Sequence, residues 1–141
     1  MITSSSRVFI ELASFKQTRP IEIMIKAEEL RDLSVTTLDE MKGADIVAID
    51  VRSLTTITDY MVICTGRSTR HVKALAESVA VKGKAVHAPL VRTEGDDESE
   101  WIVVDLGDVV VHVMLAATRA FYSLEDLWEP VKELREQNNS S

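Results

Sequence analysis

The stretch Trp101-Ile102-Val103-Val104-Asp105-Leu106-Gly107-Asp108-Val109-Val110-Val111-His112-Val113-Met114 decides the fold. Two β-branched runs meet at a glycine, so the sequence predicts a hairpin with Leu106-Gly107 as a two-residue loop and Gly107 supplying the positive φ such a turn needs. Asp105 then pairs with Asp108, Val103 with Val110 and Trp101 with His112. Because side chains alternate across a strand, Ile102, Val104, Val109, Val111 and Val113 share one aliphatic face, which is core. The other face carries Trp101, Val103, Asp105, Asp108, Val110, His112 and Met114. An apolar centre with a polar rim is the anatomy of a protein-binding surface, and a tryptophan anchor suits one. The alternative is that another helix covers this face and the carboxylates cap its end. On these residues alone both readings stand.

Outward from the hairpin the chain alternates helical and strand patterns. Ala27, Leu30, Ser34, Leu38 and Met41 recur at helical spacing from Ile25 onward, and Lys42-Gly43 stops that helix, with Gly43 as its left-handed residue. Ile46 to Ile49 has the β-branched content of a buried strand, and Tyr60 to Cys64 gives a second, closed by Thr65-Gly66. Ser68 is placed to cap a helix carrying Val72, Leu75, Ala76 and Val79, which runs to about Lys82 and stops at Gly83. Val86 to Arg92 is a third strand candidate, at an edge because Pro89 gives no amide to a ladder. Glu94 to Glu100 holds five carboxylates in seven residues, a solvated loop or a contact for a basic partner. A last helix covers Ala116 to about Leu127. The order predicts an α+β fold, a mixed sheet of about five strands with helices packed on one face.

At 141 residues and 15.7 kDa the chain is the length of one domain. Lys plus Arg is 16 against Asp plus Glu 23, so a formal charge of -7 disfavours a direct grip on nucleic acid or anionic lipid. No apolar run approaches the roughly 20 residues that span a bilayer. The single cysteine, Cys64, excludes an internal disulfide and fits a reducing compartment. Residues 1–23 form a Ser- and Arg-bearing leader, flexible or transit-like, with Met24 an alternative start. The domain proper covers residues 24–129, and residues 130–141 are a tail expected to fray.

Chemistry-bearing patterns are sparse. His71, His87 and His112 fall in no metal motif, and Asp105 and Asp108 at a tight turn lack a third or fourth ligand. Cys64 has no base beside it in sequence and reads as a small hydrophobe. Gly66-Arg67-Ser68 lies where a strand meets a helix, a phosphate-binding position, but one glycine is weak support. Nucleotidyltransferases place a Gly-Ser turn here and also need a carboxylate pair on a neighbouring strand for magnesium. No such pair follows. No catalytic residue, metal or cofactor is therefore assigned.

Several stretches together resemble one family. Ala44 to Val51, Ile57 to Gly66, Ser68 to Val72, Trp101 to Val113 and Tyr122-Ser123-Leu124-Glu125-Asp126-Leu127-Trp128 are similar to the ribosomal silencing factors, also called Iojap-like. The likeness covers about Ile25 to Trp128. It implies a nucleotidyltransferase-like fold without the catalytic carboxylates, and no enzymatic activity. It also implies binding to the large ribosomal subunit through ribosomal protein number fourteen, which sterically blocks joining of the small subunit and represses translation under nutrient limitation. The resemblance further implies a cytoplasmic homodimer. Organelle relatives assist large-subunit assembly, and a transit peptide would place this chain in a mitochondrion or chloroplast. Partner contacts are expected at Trp101, Val103, Asp105, Asp108, Val110, His112 and Met114, while Tyr122, Leu124 and Trp128 either complete that surface or only pack the last helix.

Overall fold

The computed structural model describes residues 25–128. Helix α1, Ala27–Glu40, opens where the Lys26 amide donates to Glu29 Oε1 at 3.1 Å and buries Leu30, Ser34, Thr37 and Leu38 on one stripe. It ends in a Schellman motif, in which the Gly43 amide donates to the Leu38 carbonyl at 2.8 Å and the Lys42 amide to Asp39 at 3.0 Å. The left-handed residue is Lys42, at φ 69°, rather than Gly43. Gly43 is required for space instead, since a Cβ there would collide with Cys64 Sγ in the adjoining strand.

Five strands form one mixed sheet in the order β1-β2-β5-β4-β3, as the α+β reading expected. They are β1 Ala44–Asp50, β2 Tyr60–Gly66, β3 Arg92–Glu94, β4 Trp101–Asp105 and β5 Val109–Leu115. Strands β2 and β5 run parallel and the other pairs antiparallel. Every residue of β2 is buried. By contrast β1 is a half-exposed edge, bulged between Ala44 and Val47, so its apolar run does not mark a buried strand. Helix α2, Thr69–Ala85, connects β2 to the second half of the sheet, and its cap is the one expected: Ser68 Oγ accepts from the His71 amide at 3.1 Å. Helices α1 and α2 lie side by side on one face, where Leu30, Leu38, Val72, Leu75 and Val79 meet Val62, Val104, Val111 and Val113.

Three boundaries differ from the expectation, each for a packing reason. Gly83 lies inside α2 and is buried, because a Cβ there would approach Leu106 Cδ2 to 2.7 Å. Residues 86–91 are not strand, and β3 is a three-residue edge beginning only at Arg92. The last helix, α3, spans Ala116–Tyr122 and stops at Ser123, which takes φ 49°; a 3-10 turn, Leu124–Trp128, follows.

The hairpin register is also shifted. Trp101 pairs with Met114, Val103 with His112 and Asp105 with Val110, so the pairing predicted from a Leu106-Gly107 loop is two residues out. The Leu106 amide donates to the Val109 carbonyl at 2.9 Å, which makes Gly107-Asp108 the loop, with Gly107 at φ 91°. Leu106 is core, continuing the alternation of Ile102 and Val104. A shift of two preserves parity, and the aliphatic face is buried throughout, as the sequence predicted.

Candidate partner-binding face

The opposite sheet face has two halves. At one end Leu124, carried there by the 3-10 turn, packs with Val51, Met61, Ile63 and Met114. Cover thus comes from the C-terminal turn, while the N-terminal helix lies on the other side. Met114 is fully buried, so its place is beneath this face and not on it. Toward the hairpin turn Val103, Asp105, Asp108 and Val110 are half-buried.

Trp101 joins the halves. Its indole N–H donates to His112 Nδ1 at 3.0 Å, a diagonal contact across the ladder with ring centroids 5.8 Å apart. Tyr122 lies 5.0 Å from the Trp101 ring, and Phe121 meets Tyr122 edge-on at 4.9 Å. Phe121 is 80% exposed and Tyr122 57%. Ser99, Glu100, Ala117 and Thr118 continue this aromatic cluster as a shallow groove, in which Thr118 Oγ1 donates to Glu100 Oε1 at 3.0 Å. Trp101, His112 and Tyr122 are thus brought together, whereas Asp108 stands apart at the turn. The side chain of Trp128 lies outside the described residues.

Both aspartates first serve the fold, Asp105 through its carboxylate and Asp108 through its backbone carbonyl. Asp105 Oδ1 accepts from the Gly107 amide at 2.9 Å, and its other oxygen stands 3.5 Å from Arg92. The Asp108 carbonyl accepts from the amides of Asp59 and Tyr60, and this backbone pairing orders the loop before β2. Burial, reinforced by the charges of Asp59 and Glu28, raises the Asp108 carboxyl above its ordinary range. Burial also pushes His112 down to about 4, so the ring is neutral at pH 7.

Phe121 and Arg119 are absent from the expected set. Adjacent aromatics on a short helix point about 100° apart, so Phe121-Tyr122 was a legible sign that one of them lies outside the core. Arg119, the one charge among the small residues of α3, is 9% exposed. Its guanidinium donates to the Asp45 carbonyl at 2.7 Å, to Thr65 Oγ1 at 2.8 Å and to both oxygens of Glu125 at 3.0 and 2.8 Å. The fork therefore ties β1, β2 and the 3-10 turn to α3, and it holds the Glu125 carboxyl below its usual range. Cys64, beneath, is pushed up to about 11 by burial and is a packed thiol. Among the described residues no group of three His, Cys, Asp or Glu could hold a metal ion, and no helix is long and apolar enough to cross a membrane.

These features define an α+β sheet domain whose distinguishing surface is aromatic. The family model described as ribosomal silencing factor during starvation matches residues 24–141, and the chain belongs to that family. It is 45% identical over 104 residues to the ribosomal silencing factor RsfS of Chromobacterium violaceum, covering 74% of this chain and 85% of the relative. A crystal structure of a Chromobacterium violaceum protein superposes with a TM-score of 0.71 at 46% identity, covering 74% of this chain and 88% of that one. The mouse protein named mitochondrial assembly of ribosomal large subunit protein 1 is 39% identical over 100 residues, which span 69% of this chain but 44% of the relative.

Proposed function

We propose that this chain is a ribosomal silencing factor that binds the large ribosomal subunit through ribosomal protein number fourteen and keeps the small subunit from joining. The observation that supports a binding role is the exposed Phe121-Tyr122 pair, with Tyr122 tilted against Trp101 and Phe121 edge-on to Tyr122. Large aromatics left in water beside a half-buried tryptophan are the typical hot spots of an interface. Occlusion needs binding energy only, so no bond is made or broken and no catalytic group is assigned. A charge of -7, with Glu100 at the end of the acidic run lining the groove, favours a basic protein over ribosomal RNA. The contacts are Trp101, Tyr122, Val103, Val110, His112 and Asp105, with Phe121 added; Met114 supports them from below. The site of action is the cytoplasm and the assembly a homodimer.

Co-sedimentation with large subunits tests this. Replacing both exposed rings, Phe121→Ala with Tyr122→Ala, leaves the core intact and is expected to weaken binding at least tenfold, the loss of roughly 1.4 kcal/mol or more. Undiminished binding of the double variant moves the contact elsewhere. The mouse relative's name supports a second reading, assembly of an organelle large subunit, and the cellular location of the protein separates the two.

A further inference from the structure

The bond between Trp101 and His112 fixes more than the position of two rings. An indole nitrogen only donates, so His112 Nδ1, 3.0 Å away, accepts through its lone pair. A neutral imidazole with Nδ1 unprotonated carries its hydrogen on Nε2. Among the described residues that Nε2–H meets no acceptor. The ladder neighbours of His112 are Val103 on β4 and Ile63 on β2, and neither side chain has an acceptor to give. His112 is half-buried at the margin of this face, so its Nε2–H, unpartnered by the described residues, is open to solvent and to a docked surface that supplies an acceptor.

We infer that Trp101 sets the tautomer of His112 so that its Nε2–H is a fixed hydrogen-bond donor to a neutral carbonyl oxygen of the docked protein. This rests on the silencing reading above and names one contact at that surface. The acceptor is neutral because Asp105 and Asp108 share the face and the chain carries -7, so a carboxylate would meet like charge. A cationic donor of the partner is also refused, since Nδ1 is already occupied and Nε2 holds the hydrogen. Trp101 thereby acts twice, through its ring as an apolar anchor and through its N–H as a positioning residue for His112.

Two substitutions separate this from a merely structural histidine. The amide nitrogen of glutamine reaches the place of Nε2, whereas that of asparagine reaches only the place of Nδ1. His112→Gln is therefore expected to bind large subunits within about threefold of the unmodified chain, and His112→Asn to lose about tenfold, a single hydrogen bond's worth. Thermal unfolding of both variants checks that each is folded at the assay temperature. Long-range proton–nitrogen NMR of the free protein at pH 7 is expected to show Nδ1 unprotonated and Nε2 protonated, and Trp101→Phe to mix the tautomers. A protonated Nδ1, or equal binding by folded His112→Asn and His112→Gln, overturns the inference while leaving silencing intact. Failure of the unmodified chain to bind large subunits overturns the silencing reading, and the proposed acceptor with it.

Discussion

His112 links stability to acidity through its burial. The unfolded ring takes a proton near pH 6.5, while the folded ring is pushed down to about 4. Between those values the unfolded chain binds more protons, so stability falls as pH drops through the window. The loss reaches about 3 kcal/mol at most, and less because the ring is partly wet. Glu125, held low by Arg119, loses its contribution only as pH falls below the ordinary carboxylate range; Asp108, raised, works in the opposite sense. Urea unfolding at pH 7 and pH 5 is expected to show a drop that His112→Gln largely removes. An identical drop in the variant would place the effect elsewhere. That His112 and Trp101 share a face was readable from the alternation of the hairpin, but their diagonal contact and the direction of the hydrogen bond were not. A diagonal contact depends on the register, and the register turned on whether Leu106 belongs to the turn or to the core.

Among the elements, the 3-10 turn depends most on a single residue. Arg119 satisfies Asp45, Thr65 and Glu125 at once, so its removal leaves several polar groups short of a partner in a largely buried place. Arg119→Ala is expected to cost about 2 to 4 kcal/mol, less than the full cost of breaking a buried pair because Glu125 is a third exposed. Glu125→Gln keeps the shape and one acceptor, and its expected cost is about 1 to 2 kcal/mol. Denaturant midpoints measure both, and an Arg119→Ala cost no greater than that of Glu125→Gln would remove the fork as the anchor. Helices and central strands were legible because their apolar spacing is strong. The end of α3 was not, since Ser123 bends the chain only where Leu124 finds a pocket on a distant sheet face. Likewise Gly43 and Gly83 read as helix stops, although one follows the left-handed residue and the other admits Leu106.

For the molecule as a whole, the two sheet faces divide the labour. One face is closed by α1 and α2 and supplies the core; among the described residues the other is covered where Leu124 reaches, leaving Trp101, His112, Tyr122 and Phe121 at its margin. Composition and the hairpin alternation already distinguished these faces. Phe121 escaped notice because exposure at a helix end depends on where the helix stops, and that stop is set by tertiary contacts. Occlusion of the small subunit is tested most directly with purified subunits mixed under joining conditions and resolved on a density gradient. Saturating protein is expected to lower the joined fraction severalfold, and the Phe121→Ala, Tyr122→Ala double variant is not. An unchanged joined fraction with the unmodified chain, or equal inhibition by the double variant, would contradict occlusion through this face.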